Sequence, residues 1–440
     1  MKKIAKLSLV AAVAVVGFTS ANAQSLEEAI KNVEVSGSVV YRYNDYSNDA
    51  KAGSIFAKDT YVNGVKTAEG KDLSKDSSST NNYKVAMNLS SKVNDDIKFN
   101  SRFVVGAPSS TGTGDAGFAS LNSSSNGDQN VGVELTQANF AYTGLANTTV
   151  NVGKQGLTTP WTVAIDSDGN EQTGTGILAL TTVGPVTFAG AYFNQTNLNN
   201  STDAAFGGVD IDTDGDIIGA ESFKGVMDGS EDIATVGVIG AVGPVTLDAW
   251  YLDAQDLFDS YTVGAKASFD VEGIKLGADA RYATLELDKD YNPDGDKDSM
   301  AKLVLTADAG LVDAKFAYAM TGKDGGLTAL DNDAVTTLLG WNITANGKVD
   351  ADYFQAVLGF DLLSNLNLSA NYGNIDYKAD VDSTTDIEEE EMYAQLLYKM
   401  SKNFTTYVRY GTYTKELSDS GASLEVNDDT RGRVQVEYTF

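Results

Sequence analysis

One segment of the sequence has acidic residues at the spacing of a calcium-binding loop. The twelve residues from Asp210 to Glu221 fit the pattern D-x-D-x-D-G-x5-E at every position. Ca²⁺ takes about six to eight oxygen ligands, and acids at alternate positions can converge on one ion while Gly215 permits the turn. The segment therefore predicts a structural calcium site. Its candidate ligands are Asp210, Asp212, Asp214, Asp216 and Glu221.

The surroundings of this segment predict an isolated loop and not a helix–loop–helix sensor, because Gly207, Gly208 and Gly225 flank it. A second segment repeats part of the pattern but lacks the closing glutamate. Its weaker candidate ligands are Asp290, Asn292, Asp294, Asp296 and Asp298. The alternative for both segments is an Asp-rich loop that stays solvated and binds no ion.

A second set of residues combines acids on one segment with basic residues spread along the chain. The segment 154–176 carries Asp166, Asp168 and Glu171. Opposite charges that face each other across an aqueous passage create a transverse field, which orients polar solutes. The candidate constriction residues are Lys154, Asp166, Asp168, Glu171, Arg42, Arg102, Arg281 and Arg409. The alternative is a solvated surface loop, with the arginines paired to wall acids such as Glu34, Glu134 and Asp279.

The composition excludes most catalytic chemistry. The chain has no histidine and no cysteine, which removes Ser-His catalysis, thiol nucleophiles, disulfides and histidine metal sites. The 32 Lys and Arg residues against 61 Asp and Glu residues give a formal net charge of -29, which repels nucleic acid and attracts cations. We expect no enzyme and no nucleic-acid partner, and only Ser-Lys or paired-carboxylate catalysis stays open.

The residues above need elements that position them, and alternation of apolar and polar residues predicts antiparallel strands. Residues 33–43, 97–105, 274–282 and 433–440 place apolar side chains on one face and polar ones on the other. Eight tight turns join such strands, which gives about 18 strands with the first and last added, and 16 is possible. The turns lie at Asn94-Asp95, Gly144-Leu145, Gly184-Pro185, Gly243-Pro244, Glu272-Gly273, Gly310-Leu311, Ser364-Asn365 and Ser401-Lys402.

The connections at the other rim are mostly long. They are predicted at about 44–81, 106–130, 154–176, 194–231, 284–299, 321–351, 374–390 and 414–430, with only 253–260 short. Short periplasmic turns, long extracellular loops and an even strand number are typical of an all-β transmembrane barrel of the outer membrane. A soluble β-sandwich or secreted repeat adhesin alternates too, but bulky apolar faces and Tyr and Phe at strand ends favour the barrel. A barrel of about 16–18 strands encloses an aqueous lumen, into which we expect loop 154–176 to fold.

The first residues predict export and the last one predicts barrel assembly. Lys2, Lys3 and Lys6 precede an apolar stretch over 7–18, and Ala21-Asn22-Ala23 is a small-x-small cleavage site. Residues 1–23 are therefore expected to be a signal peptide, and 24–440 the barrel in the outer membrane of a Gram-negative bacterium. Phe440 ends an alternating strand, as in the signal that the outer-membrane assembly machinery reads.

These expectations describe a passive, moderately cation-preferring channel for ions and small hydrophilic solutes. The alternative is a calcium-dependent surface adhesin or recognition protein displayed on a barrel, with the loops as its functional part. Contact with outer-membrane lipid and lipopolysaccharide follows from either function. The run Glu388-Glu389-Glu390-Glu391 is expected to be solvated, or to bridge divalent ions to lipopolysaccharide.

Two stretches of the chain resemble a known family. Leu26 to Lys31, followed by the sequence VEVSGSVVYRY over 33–43, resembles the mature N-terminus of Campylobacter-type major outer membrane porins. Gly153-Lys154-Gln155, Trp161-Thr162 and Gly174-Thr175-Gly176 resemble that family's segment leading into the third loop. The resemblance implies an 18-stranded, homotrimeric, cation-preferring general-diffusion porin with calcium near the constriction. It also implies Asp166 and Asp203 as calcium ligands, with a third near Asp331 or Asp333.

The calcium motif yields a first testable prediction. We expect calcium to raise the melting temperature of the purified protein and to protect the segment 210–221 from proteolysis, at about 10⁻⁴–10⁻³ M as in extracellular sites. The double variant Asp212→Ala/Glu221→Ala should lose both responses, because the loop loses one converging ligand and its bidentate closing ligand. Wild-type protein that shows no calcium-dependent change in melting or in protection would contradict the site.

Overall fold

The computed structural model describes most of the chain after residue 32. The described residues are 33–48, 60–62, 65–68, 76–106, 117–120, 132–202, 210–211, 217–219, 227–289, 291, 297–419 and 422–440.

Eighteen antiparallel strands in the described part of the chain form one closed sheet, in which each strand pairs with the next. They are β1 Val33–Asn48, β2 Asp76–Lys92, β3 Ile97–Val105, β4 Val133–Tyr142, β5 Thr148–Gly156, β6 Thr173–Val183, β7 Val186–Thr196, β8 Ile233–Val242, β9 Val245–Ala254, β10 Phe258–Val271, β11 Ile274–Leu287, β12 Asp298–Asp308, β13 Val312–Thr321, β14 Val349–Leu363, β15 Leu366–Lys378, β16 Asp386–Ser401, β17 Phe404–Asp419 and β18 Ala422–Thr439. The two-residue strand Ala119–Ser120 also pairs with β2.

Small elements complete the described structure. Two short hairpins pair Thr60–Val62 with Val65–Ala68 and Asp210–Ile211 with Ile217–Gly219. A single helical turn, Leu198–Ser201, follows β7. Among the described residues no helix is long and apolar enough to span a membrane.

The predicted barrel of about 18 strands is confirmed, and all eight predicted turns lie between the paired strands. Turn chemistry is local, which is why the sequence locates it well. The φ angles of Gly184 and Gly243 are both +59°, a conformation that glycine adopts without strain. Glu272 and Gly273 are likewise both at positive φ.

Two predicted long connections are wrong. β15 extends to Lys378, and β16 already begins at Asp386. β17 extends to Asp419, and β18 already begins at Ala422. Beyond the lipid both faces of a strand can be polar, so backbone pairing continues where the apolar alternation has ended. The acidic run at 388–391 consequently lies inside β16 and not in a solvated loop.

The alternation sorts side chains between lipid and lumen. On β1 the side chains of Val39 and Tyr41 are exposed on the outer face, whereas the side chain of Arg42 is buried on the inner face. β16 follows the same rule. Glu389 and Glu391 are buried on the inner face, while Glu388 and Glu390 lie on the other face.

Two extracellular connections pack against the inner wall. We name the connection between β5 and β6 loop 3 (residues 157–172) and the connection between β13 and β14 loop 7 (residues 322–348). One apolar cluster joins Leu157 and Trp161 of loop 3 and Leu330 of loop 7 to inner residues of β7–β11. A second cluster joins Leu338 and Ile343 of loop 7 to β12–β17. Burial of apolar area therefore holds both loops inside the wall.

The barrel closes between its first and last strands. β18 pairs with β1 from Thr439 opposite Ser38 onward. Phe440 extends this ladder, since its N–H donates to the Gly37 carbonyl at 3.0 Å and its carbonyl accepts from the Gly37 N–H at 3.0 Å. Gly37 has no side chain to separate it from the Phe440 ring and from the backbone of Ala86 on β2.

Closure yields a second prediction. A Cβ in Gly37→Ala would clash with the Ala86 carbonyl and the Phe440 ring, so we expect a loss of about 1–3 kcal/mol of stability and a lower melting temperature. Gly190→Ala is the matched control, because no described heavy atom lies within 4 Å of its added Cβ. The melting temperature of each variant is measured by heat-modifiable gel mobility. Equal melting temperatures would contradict a tight closure at residue 37.

Candidate functional site

The tip of loop 3 contacts arginines on the first and last strands. Asp168 Oδ1 lies 3.1 Å from Arg42 Nη1 and 3.0 Å from Arg433 Nη1. Arg42 Nη2 also donates to the carbonyl of Ser167 at 3.1 Å. The inner faces of β1 and β18 supply these bases because the alternating valines of both strands face outward. Loop 3 is thus attached across the seam where the barrel closes.

The end of loop 3 is attached to the next two strands through one buried carboxylate. Glu171 Oε1 lies 2.7 Å from Arg102 Nη2 on β3 and 2.9 Å from Lys84 Nζ on β2. Arg102 Nε donates to Oε2 at 3.0 Å, and Lys84 also donates to the Gly169 carbonyl. A charged group in the interior needs such partners, since an unpaired buried charge is strongly destabilising.

Both loop acids stay ionised at neutral pH. Burial by itself would raise the pKa of the Glu171 carboxyl, but hydrogen bonds from Arg102 and the charge of Lys84 outweigh it and lower the pKa. Burial likewise opposes ionisation of Asp168, whose pKa the charges of Arg433 and Arg42 lower. The Asp168 side chain is 52% exposed and that of Glu171 is 1% exposed, so water screens the Asp168 pairs more strongly.

The predicted constriction residues also include Asp166, Arg281 and Lys154. Asp166 forms the turn of loop 3, where its Oδ1 accepts the N–H of Asn170 at 2.8 Å. Arg281 pairs with the wall acid Asp248 at 2.8 Å. The structure does not bring Lys154 to loop 3, because strand parity puts it on the outward face of β5 and its Nζ donates to a β4 carbonyl at 3.1 Å.

Loop 7 supplies contacts that the sequence did not indicate. The two oxygens of Glu391 accept the N–H groups of Trp341 and Asn342 at 2.9 and 2.7 Å. Arg431 Nη1 donates to Asn342 Oδ1 at 2.6 Å. Parity in the last strand could have placed Arg431 and Arg433 on the inner face, but no local signal shows that loop 7 reaches them.

Loops 3 and 7 contact each other directly. Leu330 N–H donates to the Trp161 carbonyl at 2.8 Å, and Ser167 N–H donates to Asp333 Oδ2 at 2.6 Å. Gln172 Nε2 donates to the Leu330 carbonyl at 2.9 Å. These bonds join two segments that are far apart in sequence, so the loops reach the inner wall as one connected unit.

Most candidate calcium ligands lie outside the described residues or outside the described side chains. They are Asp203, Asp210, Asp212, Asp214, Asp216, Glu221, Asp290, Asn292, Asp294 and Asp296. Asp298 is described and its Oδ1 accepts the N–H of Leu327 at 2.8 Å. Within the described part of the chain no group of three acidic residues is arranged to hold a metal ion.

One buried polar site does lie where the resemblance implies calcium. Asn170 is fully buried, its Nδ2 donates to the Ser201 carbonyl at 2.7 Å, and no described group is hydrogen-bonded to its Oδ1. Thr202 donates to the Leu330 carbonyl at 2.8 Å. The chain positions next to Asp203 and Asp331 therefore meet close to loop 3.

Comparisons with known proteins identify a family and a shared fold. The family model for the Campylobacter major outer membrane protein matches residues 1–440. OccAB3 of Acinetobacter baumannii has a similar fold, with a TM-score of 0.66 at 11% identity over 92% of this chain and 100% of that one. So do OccK2 (OpdF) of Pseudomonas aeruginosa in complex with glucuronate and a BenF-like porin of Pseudomonas fluorescens Pf-5, with TM-scores of 0.63 and 0.64, 11% identity, and coverage of 92% and 98% in both cases. No curated protein matches the sequence.

The buried carboxylate yields a third prediction. Glu171→Gln leaves Lys84 and Arg102 without their acid, and breaking a buried ion pair costs about 3–5 kcal/mol. We expect amide hydrogen exchange across 166–172 to accelerate while exchange in β11 stays unchanged. Asp168→Asn is the control, because its half-exposed pair contributes about 1 kcal/mol or less.

The same pair predicts a pH dependence. The pKa of Glu171 is lower in the folded protein, so its stabilising contribution is present above the unfolded value of about 4.3 and is lost as pH falls through the folded pKa. The opening free energy of loop 3 in wild type minus that in Glu171→Gln should be constant from about pH 8 to 5 and shrink below about pH 4. A difference that vanishes near neutral pH would contradict the pairing.

Proposed function

The chain belongs to the Campylobacter major outer membrane protein family, and from this premise we propose that it forms a water-filled channel with a moderate preference for cations. Ions and small hydrophilic solutes pass through it by diffusion, without catalysis. The observation that carries the proposal is the attachment of loop 3 to the charged inner wall, where Asp168 bridges two arginines while half of its side chain stays exposed.

Loops 3 and 7 define the constriction in this proposal. Loop 3 contributes the acids Asp168 and Glu171, and the wall contributes Arg42, Arg102 and Arg433. Rigid attachment supports a constriction of constant width, because a buried ion pair holds loop 3, hydrogen bonds to Glu391 hold loop 7, and apolar clusters hold both. Arg281 and Lys154 belong to other parts of the wall.

Cation preference follows from the excess of carboxylates. Removal of the proposed signal peptide, residues 1–23, takes away three lysines and no acid, so the charge changes from -29 to -32. Such a charge concentrates cations at the mouths of the channel. Salt at physiological strength screens it over about 8 Å, which makes the preference moderate.

A structural calcium ion is part of the proposal. The loop 210–221 is one candidate by its spacing. The buried Asn170 Oδ1 beside the segments that carry Asp166, Asp203 and Asp331 supports the second candidate, because a buried oxygen without a donor suits a hard cation.

The assembly follows the family. We propose a homotrimer in contact with outer-membrane lipid and lipopolysaccharide, delivered to the outer-membrane assembly machinery through Phe440. The exposed position of the Phe440 side chain on the outer face supports recognition before closure.

The proposal yields a fifth prediction. In a planar bilayer under a KCl gradient we expect ohmic steps and a cation-selective reversal potential. Asp168→Asn should shift the reversal potential toward anions, since Arg42 and Arg433 lose their shared carboxylate. Asp95→Asn is the matched control, because it removes one fully exposed acid at a tight turn far along the barrel.

Two results would count against the proposal. Silence of well-incorporated protein would mean a closed barrel and would favour the surface-recognition alternative. Equal shifts in Asp168→Asn and Asp95→Asn would mean that loop 3 does not form the selective region.

A further inference from the structure

The six arginines of the chain differ in their partners. All six lie in described strands, and five of them pair with a carboxylate. The pairs are Arg42–Asp168, Arg102–Glu171, Arg281–Asp248, Arg431–Asp429 and Arg433–Asp168. Among the described residues no carboxylate pairs with Arg409. Its Nε and Nη2 donate instead to the amide oxygen of Gln395, at 3.0 and 2.8 Å.

Aromatic rings surround the Arg409 guanidinium. Its central carbon lies 4.9 Å from the ring centroids of Trp341 and Tyr393 and 5.4 Å from that of Tyr407. The rings attract the cation through their quadrupoles and partly exclude water, but they do not neutralise its charge. Arg409 and all three rings are partly exposed on the inner face, so a solute in the lumen can reach them.

The strands beside Arg409 add positive charge. Arg409 is paired in register with Arg433 on β18, and Arg42 lies on β1, the next strand. The Asp168 carboxylate of loop 3 pairs with Arg42 and Arg433 and does not pair with Arg409. Glu391 on β16 does not compensate by direct pairing, because its two oxygens accept backbone N–H groups of loop 7.

We propose that Arg409, together with Trp341, Tyr393 and Gln395, is a binding subsite for small organic carboxylates. No described group is hydrogen-bonded to Nη1 of Arg409, which leaves a charged donor for a carboxylate oxygen. The adjacent rings offer an apolar surface for the rest of the solute. The inference deepens the proposed channel function and rests on it: a local row of arginines admits anions that the acidic mouths would repel.

The test measures binding of sodium benzoate to the detergent-purified full chain by isothermal titration calorimetry. Wild type should bind benzoate saturably, and Arg409→Gln should weaken the affinity about tenfold or more, because a charge-assisted hydrogen bond is lost. Arg409→Lys keeps the charge without the planar fork and should give a smaller loss. Heat-modifiable gel mobility verifies that each variant is folded.

Lys315→Gln is the matched control. Lys315 on β13 is also an inner-face base whose side-chain partner is an amide, since its Nζ donates to Gln355 at 3.0 Å. Its replacement removes the same charge from another part of the wall. Unchanged benzoate affinity in Lys315→Gln, together with the loss in Arg409→Gln, is the expected result.

Three outcomes would overturn the subsite: no saturable binding by wild type, equal losses in Arg409→Gln and Lys315→Gln, or inorganic phosphate binding as tightly as benzoate. The channel function is tested separately by conductance in KCl. A protein that conducts but does not bind benzoate would contradict the subsite and leave the channel function standing. A protein that does not conduct would contradict the proposed channel, while calorimetry would still measure benzoate binding at Arg409.

Discussion

The need to pair every backbone N–H and C=O group in lipid governs this structure. Hydrocarbon offers no hydrogen bonds, so a sheet in the membrane must close on itself. β18 meets β1 in register, and Phe440 adds two further backbone bonds at Gly37. Closure then separates two environments, and strand parity sends apolar side chains to lipid and charged ones to the interior.

Charged groups inside the barrel also need partners, because an unpaired buried charge is strongly destabilising. Glu171 is buried on loop 3 and is tolerated because Lys84 and Arg102 approach it together. The partners of Glu391 are of a different kind, since its carboxylate accepts two backbone N–H groups of loop 7. The same two loops bury Trp161 and Ile343 in apolar clusters. Polar contacts therefore determine where the loops attach, and apolar burial supplies much of the stabilisation.

Net charge and local charge have opposite signs in this barrel. The chain is strongly acidic, yet Arg409, Arg433 and Arg42 lie on the neighbouring strands β17, β18 and β1, and the Asp168 carboxylate of loop 3 pairs with two of them. Charges beyond about 8–10 Å are screened at physiological salt, so a solute at this wall responds to the arginines and not to the whole chain. A cation-preferring channel and a local anion subsite are consequently compatible.

The sequence by itself determined the barrel and its eight tight turns, because alternation and turn residues act over a few neighbouring positions. It favoured 18 strands but left 16 open, and the structure decided for 18. The sequence failed at 374–390 and 414–430, where strands continue without apolar alternation. It also grouped Lys154 with the loop 3 acids, although parity turns that side chain outward. Only the tertiary structure decided that Glu171 meets Arg102 and that Asp168 meets Arg433, because these partners are 69 and 265 residues apart and come together only when the sheet closes and the loops pack inside it.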